Sequence, residues 1–179
     1  MFPEFFATSN ENKLREVREI LGYEIKSIKL DLKEIQEIEV EAVVKEKARD
    51  AFQRKGEPVI VEDTSLEIAS LNRFPGVFVK WVLETIGKEG ILKLLEGEAK
   101  REAVARTAAG FFDGENTFVF TGEVEGEIAQ EVKGESGFGW DPIFIPKGER
   151  ESFAELDPHK KNEISMRRKA FEKIKREFN

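Results

Sequence analysis

Thr8-Ser9-Asn10-Glu11-Asn12-Lys13 is a run of side-chain donors that ends in a full positive charge. Between a strand and a helix, such a run adds hydroxyls and an ammonium to the unpaired N–H groups of a helix N-terminus, which suits a phosphate. It lacks the glycines and the Gly-Lys-Ser/Thr ending of a Walker A loop, and a well-capped helix start would use the same residues. Glu62-Asp63 follows the apolar Val59-Ile60-Val61, and Glu34 lies in another loop after a strand. Carboxylates so placed can hold Mg²⁺, which takes a few of them plus water and phosphate oxygens, or one can activate water; a solvated acidic loop is the other reading. Gly134 to Pro142 interleaves three glycines with Phe138 and Trp140. That is a poor core strand. It suits a backbone lying against a flat ligand, with an aromatic to stack and Asp141 to meet a polar edge, or else a tight turn with one ring in the core. His159-Lys160-Lys161-Asn162 and Met166-Arg167-Arg168-Lys169 are basic within an acidic chain, and Lys80 is a further cation. Converging, these charges would serve a triphosphate; as a solvated helix face they would serve none.

The hydropathy pattern supplies the elements that must position these groups. Phe-rich Glu4–Ala7 predicts a buried strand, and Leu14, Val17 and Leu21 predict a helix stopped by Gly22. Glu24–Leu30 predicts a second strand, Asp31–Glu37 an acidic loop, and Val40–Phe52 a helix broken by Gly56-Glu57-Pro58. Val59–Val61 predicts a short buried strand with Glu62-Asp63-Thr64-Ser65 at its end, where open α/β sheets place ligands. Val79–Ile86 and Glu89–Leu95 read as helices. Val104–Phe112, Thr117–Thr121, Glu123–Ala129 and Ile143–Ile145 read as strands, with Asp113-Gly114 as a hairpin signal. Asp157-Pro158 is an N-cap followed by proline, and a last helix runs from Ser165 to Phe178 with Met166 and Ala170 on its apolar face. The sum is an α/β protein with a mixed sheet.

Composition narrows the chemistry. With no cysteine and one histidine, disulfides, thiolate metal sites, Cys nucleophiles and His-based triads drop out. A net charge of −7 argues against broad nucleic-acid binding. A hydrophobic fraction of 40% supports a folded domain. No apolar run approaches the roughly 20 residues of a membrane span, and Met1 to Asn10 lacks a leader's layout. A cytoplasmic protein is the expectation.

Seven pieces in order resemble the inosine/xanthosine triphosphate pyrophosphatase family: Thr8-Ser9-Asn10-x-x-Lys13, Glu34-Ile35-Gln36, Val61-Glu62-Asp63-Thr64, Phe74-Pro75-Gly76, Phe138-Gly139-Trp140-Asp141-Pro142, Phe153-Ala154-Glu155, and Lys161-Asn162 through Ser165-x-Arg167. The resemblance implies an elongated mixed β-sheet flanked by helices, in two lobes with a central substrate cleft, as a single domain over 1–179 that forms a homodimer. It implies Mg²⁺-dependent hydrolysis of ITP, dITP and XTP to the monophosphate and pyrophosphate, which keeps those nucleotides out of nucleic acid. Thr8, Ser9, Asn10, Glu11, Asn12 and Lys13 would bind the triphosphate. Glu34 and Asp63 would hold Mg²⁺, with Asp63 also the general base. Thr64 would contact substrate and Lys80 would neutralise phosphate. Phe138, Gly139, Trp140 and Asp141 would hold the base and nucleoside, and Lys161 and Arg167 would read the purine edge or the phosphates. Lys47 lies one residue out of the family's spacing. Met166 stands where the family usually has His and cannot donate a hydrogen bond. That departure opens one alternative, a pyrophosphatase of relaxed base selectivity; a non-catalytic nucleotide-sensing module on the same scaffold is a separate one, and the retained Glu34 and Asp63 argue against it.

Overall fold

Helix α1 (Glu11–Leu21) begins where the polar turn supplies its own cap. Asn10 Oδ1 accepts the backbone N–H groups of Asn12 at 3.0 Å and Lys13 at 3.1 Å. The helix buries Leu14, Val17, Ile20 and Leu21 and ends at Gly22, whose φ of 77° lies in the left-handed region that glycine enters freely. In this computed structural model residues 3–178 are described; Met1, Phe2 and Asn179, which fall within the expected 1–179 domain, lie outside the described residues.

Strand β1 (Phe5–Ala7) pairs in parallel with β2 (Lys26–Ile28) on one side and with the start of β3 (Val59–Ile68) on the other, Phe5 opposite Val59 and Phe6 opposite Ile60. Helix α2 (Val40–Lys55) leads into β3. The chain continues through β4 (Pro75–Gly76), α3 (Val79–Thr85), α4 (Gly87–Leu94), β5 (Glu102–Phe112), β6 (Thr117–Ile128), β7 (Phe144–Pro146), α5 (Pro158–Ile164) and α6 (Met166–Phe178). The sheet order is β2-β1-β3-β5-β6-β7, with β4 paired to β3. Parallel β1 pairings and antiparallel β3–β4 and β6–β7 pairings make the sheet mixed, as expected.

Two expectations need correction. β3 does not stop at Val61. Its far half pairs antiparallel with β4, Leu66 opposite Gly76 and Glu67 opposite Pro75, so the ladder carries the strand on to Ile68. Glu62 and Asp63 therefore sit in mid-strand, just past the point where β1 ends. The two strands expected around Gly122 are one, β6. A Cβ at Gly122 would stand 2.1 Å from the Met166 carbonyl oxygen, so this glycine admits the start of α6 against the strand rather than breaking it.

The chain divides into two compact units, with β3, β5 and β6 contributing to both. The first comprises the chain through Thr64, Thr107–Gly122 and the chain from Met166. Its core joins Phe6, Val17, Leu21, Ile60, Phe111, Phe171 and Ile174, edged by Phe118, Phe120 and Phe178. The second comprises Ser65–Arg106 and Glu123–Ser165. Trp140, Phe144 and Phe153 pack together in it, with Trp140 and Phe144 centroids 5.5 Å apart. The buried Arg101 guanidinium donates there to the carbonyls of Leu95, Ile128 and Ala129.

Candidate active site

Neighbours on a strand point to opposite faces, and Glu62 and Asp63 accordingly find different partners. Glu62 Oε1 accepts from Lys13 Nζ and Arg167 Nη2, both at 2.9 Å, and Oε2 accepts from Arg167 Nε at 2.8 Å. Arg167 Nη1 donates to Glu16 Oε2. Burial alone would raise the Glu62 pKa, but the Arg167 charge, then that of Lys13, outweighs it and holds it at about 2. Burial likewise opposes the Arg167 charge, and Glu62 and Glu16 push its pKa further up. A carboxylate held this way stays ionised near neutral pH and is no candidate base.

Asp63 is a quarter exposed. Its Oδ2 accepts from Lys47 Nζ at 2.6 Å, and its Oδ1 accepts the Thr64 backbone N–H at 2.9 Å. Lys47 Nζ also lies 3.4 Å from Glu34 Oε1. Burial works to lower the Lys47 pKa; the charge of Asp63 and then that of Glu34 outweigh it and raise it. Glu34 and Asp63 thus converge on one cationic atom. Among the described residues no group of three or more His, Cys, Asp or Glu is gathered for a metal. A two-carboxylate set that already shares a cation does fit Mg²⁺, which keeps water and phosphate oxygens as its other ligands.

The Thr8–Lys13 turn follows β1 directly. Thr8 donates its N–H to the Ile28 carbonyl at 3.2 Å, and its Oγ1 accepts the Asn10 N–H at 3.0 Å. Ser9 and Glu11 are exposed, Asn12 is half-buried, and Lys13 reaches Glu62. In the first unit, then, the turn, Glu34, Asp63, Thr64 and Arg167 belong to two networks that meet at the Glu62–Asp63 peptide.

The remaining predicted residues lie in the second unit. Asp141 Oδ2 accepts from the Phe138 N–H at 2.8 Å and from Lys161 Nζ at 2.6 Å, and both ionic side chains are 4% exposed. Lys161 Nζ stands 4.5 Å from the Phe138 ring centroid, within cation–π range. A Cβ at Gly137 would lie 2.4 Å from Asp141 Oδ2, and Gly137 has φ 75°, so the turn closes around the carboxylate only with glycine there. Of the two aromatics, Trp140 is packed inside and Phe138 is half-buried. Gly139 is exposed, and Lys80 is exposed with its Nζ over the Trp81 ring.

In the sequence Lys47 lies off the family's spacing, and Glu16 belongs to none of the motifs. The signal for Glu16 is a carboxylate three residues after Lys13 on the ridge that continues to the buried Ile20, a place that demands a cation.

The Ham1 family model matches residues 5–177. A dITP/XTP pyrophosphatase of Methanopyrus kandleri is 47% identical over 173 residues, 94% of this chain and 92% of that protein. The inosine triphosphate pyrophosphatase of Yarrowia lipolytica is 43% identical, covering 95% and 92%. The solved structure of a HAM1 protein from Coxiella burnetii superposes with a TM-score of 0.84 at 33% identity, over 95% of this chain and 94% of that one. With its motifs in order, its mixed sheet and this likeness along nearly its whole length, the chain belongs to the Ham1 family.

Proposed function

We propose that this chain is a nucleoside triphosphate pyrophosphatase that hydrolyses ITP, dITP and XTP to the monophosphate and pyrophosphate. The names of its relatives support the activity and the substrate class. The observation that carries the chemistry is the convergence of Glu34 and Asp63 on Lys47, beside a polar turn that opens α1. In this reading Glu34 and Asp63 hold Mg²⁺, which when bound supplies Lewis-acid polarisation of phosphoryl oxygens. Thr8 to Lys13 bind the triphosphate, and Lys13, Lys47 and Lys80 offset its charge. Asp63 takes the proton of the attacking water. An oxygen–phosphorus bond forms at the α-phosphorus, the α–β anhydride bond breaks, and pyrophosphate leaves. Both Asp63 oxygens are already hydrogen-bonded, but a carboxylate has roughly four acceptor sites and keeps capacity for that proton. Phe138 offers the base a stacking face, and Asp141 and Lys161 fix the turn that presents it, while Thr64 contacts the substrate.

Met166 favours one second reading, relaxed base selectivity. It is 2% exposed and begins α6, next to Arg167. A thioether there offers no donor to a base. A homodimer in the cytoplasm belongs to the same proposal. No helix among the described residues is long and apolar enough to cross a membrane.

The test is pyrophosphate release from ITP, XTP, dITP, GTP and ATP with and without Mg²⁺. Magnesium-dependent release much faster for ITP and XTP is the expected result. Equal rates for GTP select the relaxed reading. No release from any triphosphate, with nucleotide still bound, leaves a sensing module and overturns the proposal.

A further inference from the structure

Residues 29–39, between β2 and α2, contain no helix or strand, yet this segment carries Glu34. The Glu34 side chain is 45% exposed and meets Lys47, so the loop backbone sets where it can reach. Helix α2 buries two charged residues, Lys47 and Asp50. At a spacing of three they lie on one face of the helix. Lys47 meets the Glu34 side chain, and Asp50 Oδ2 accepts the backbone N–H of the preceding residue, Lys33, at 2.9 Å. Asp50 Oδ2 also accepts from Arg54 Nε at 2.9 Å, which steadies the carboxylate on the helix. Two successive loop residues are therefore held by two residues one helical turn apart.

We propose that Asp50 is a positioning residue that holds the Glu34 loop in the register in which Glu34 faces Lys47 and Asp63. This rests on the reading of Glu34 and Asp63 as the metal carboxylates. Asp50 touches neither metal nor substrate; it acts through the Lys33 amide. The bond is local to the loop, so its loss should be felt at Glu34 before it is felt in the fold.

Mn²⁺ binding to the nucleotide-free full chain, followed by electron paramagnetic resonance, tests this without turnover. Asp50→Ala should weaken Mn²⁺ binding about tenfold, as Glu34→Gln should; tenfold corresponds to about 1.4 kcal/mol, the scale of one charge-assisted hydrogen bond. Asp50→Asn keeps an acceptor oxygen and should stay within about twofold of the unaltered chain, as should Arg54→Ala, which removes only the ion pair. Hydrogen exchange on the unaltered chain gives a second measurement that needs no variant to fold: the Lys33 amide should be protected. Unchanged Mn²⁺ affinity in folded Asp50→Ala beside weakened affinity in Glu34→Gln overturns the positioning role alone. Unchanged affinity in Glu34→Gln overturns the metal reading and this proposal with it. An unprotected Lys33 amide overturns the tether directly.

Discussion

Adjacent carboxylates on β3 divide their work by the face each occupies. Glu62 is held by Lys13 and Arg167, while Asp63 is partly exposed and faces Lys47, which suits the base role proposed for it. Asp63→Asn tests that division. Asparagine keeps an oxygen for the Thr64 N–H but loses the charge and the proton affinity. The expected outcome is a kcat about 10³-fold lower, within the range for loss of a general base, with nucleotide affinity within a few-fold of the unaltered chain. Stopped-assay pyrophosphate release and equilibrium binding measure the two parts, and near-normal turnover would remove Asp63 from the chemistry. Met166 is the complementary case, a residue that the relaxed reading proposed above ties to selectivity. Its burial together with Ala170 shows that the thioether packs. Met166→His restores a donor, and sites that hydrogen-bond a substrate discriminate because mismatched analogues leave their groups unpaired. The ratio of kcat/KM for ITP over GTP should rise about tenfold if one such bond is worth about 1 to 1.5 kcal/mol. An unmoved ratio assigns selectivity elsewhere.

Among the elements, caps and close turns matter more than helix propensity. Asn10 uses one side-chain oxygen to satisfy two N–H groups at the start of α1, so Asn10→Ala should cost about 1 kcal/mol of stability. It should also raise KM if the same turn binds phosphate, and urea unfolding beside steady-state kinetics separates the two effects. In the second unit, Gly137→Ala drives a methyl group into the Asp141 carboxylate and meets an unfavourable φ. The Asp141–Lys161 pair should loosen, and KM should rise more than kcat falls. Equal KM values in Gly137→Ala and the unaltered chain would show that the turn does not position the nucleotide. The same features explain what could be read from the chain beforehand. Asn10, Gly22, Gly56 and Asp157-Pro158 are local signals and mark real element boundaries. β3 extends beyond its sequence signal because Glu62 to Ser65 look like a polar loop end. Pairing with β5, and with β4 at Leu66 and Glu67, comes from residues further along the chain and makes this stretch part of one strand. Lys47 was legible as a lysine and not as a bridge, because its partners Glu34 and Asp63 come from a loop and a strand on either side of it in sequence. Glu16 is legible as a carboxylate on the buried ridge of α1, but its partner Arg167 comes from the far end of the chain.

At the scale of the whole molecule, the Glu16–Arg167–Glu62–Lys13 network ties α1, β3 and α6, joining residues 151 and 105 positions apart. Its energetics set an acid limit on stability. The folded pKa of Glu62, about 2, lies below the ordinary value of 4.5. A depressed pKa means that the unfolded chain binds the proton more readily. The stabilisation is therefore full above about pH 4.5 and is lost as the pH falls from there through about 2. The shift is worth about 3 kcal/mol on an order-of-magnitude scale. Glu62→Gln should remove that pH dependence and, by leaving buried Arg167 and half-buried Lys13 short of a counter-charge, lower stability at neutral pH by about 3 to 5 kcal/mol. Urea unfolding of both chains at pH 7, 4.5, 3 and 2 measures this directly. The two stability curves should lie far apart at pH 7 and converge toward pH 2, since protonation there does to Glu62 what the substitution does at every pH. Curves that stay parallel down to pH 2 would mean that Glu62 titrates as an ordinary carboxylate. The ion network would then not be what holds these three chain segments together.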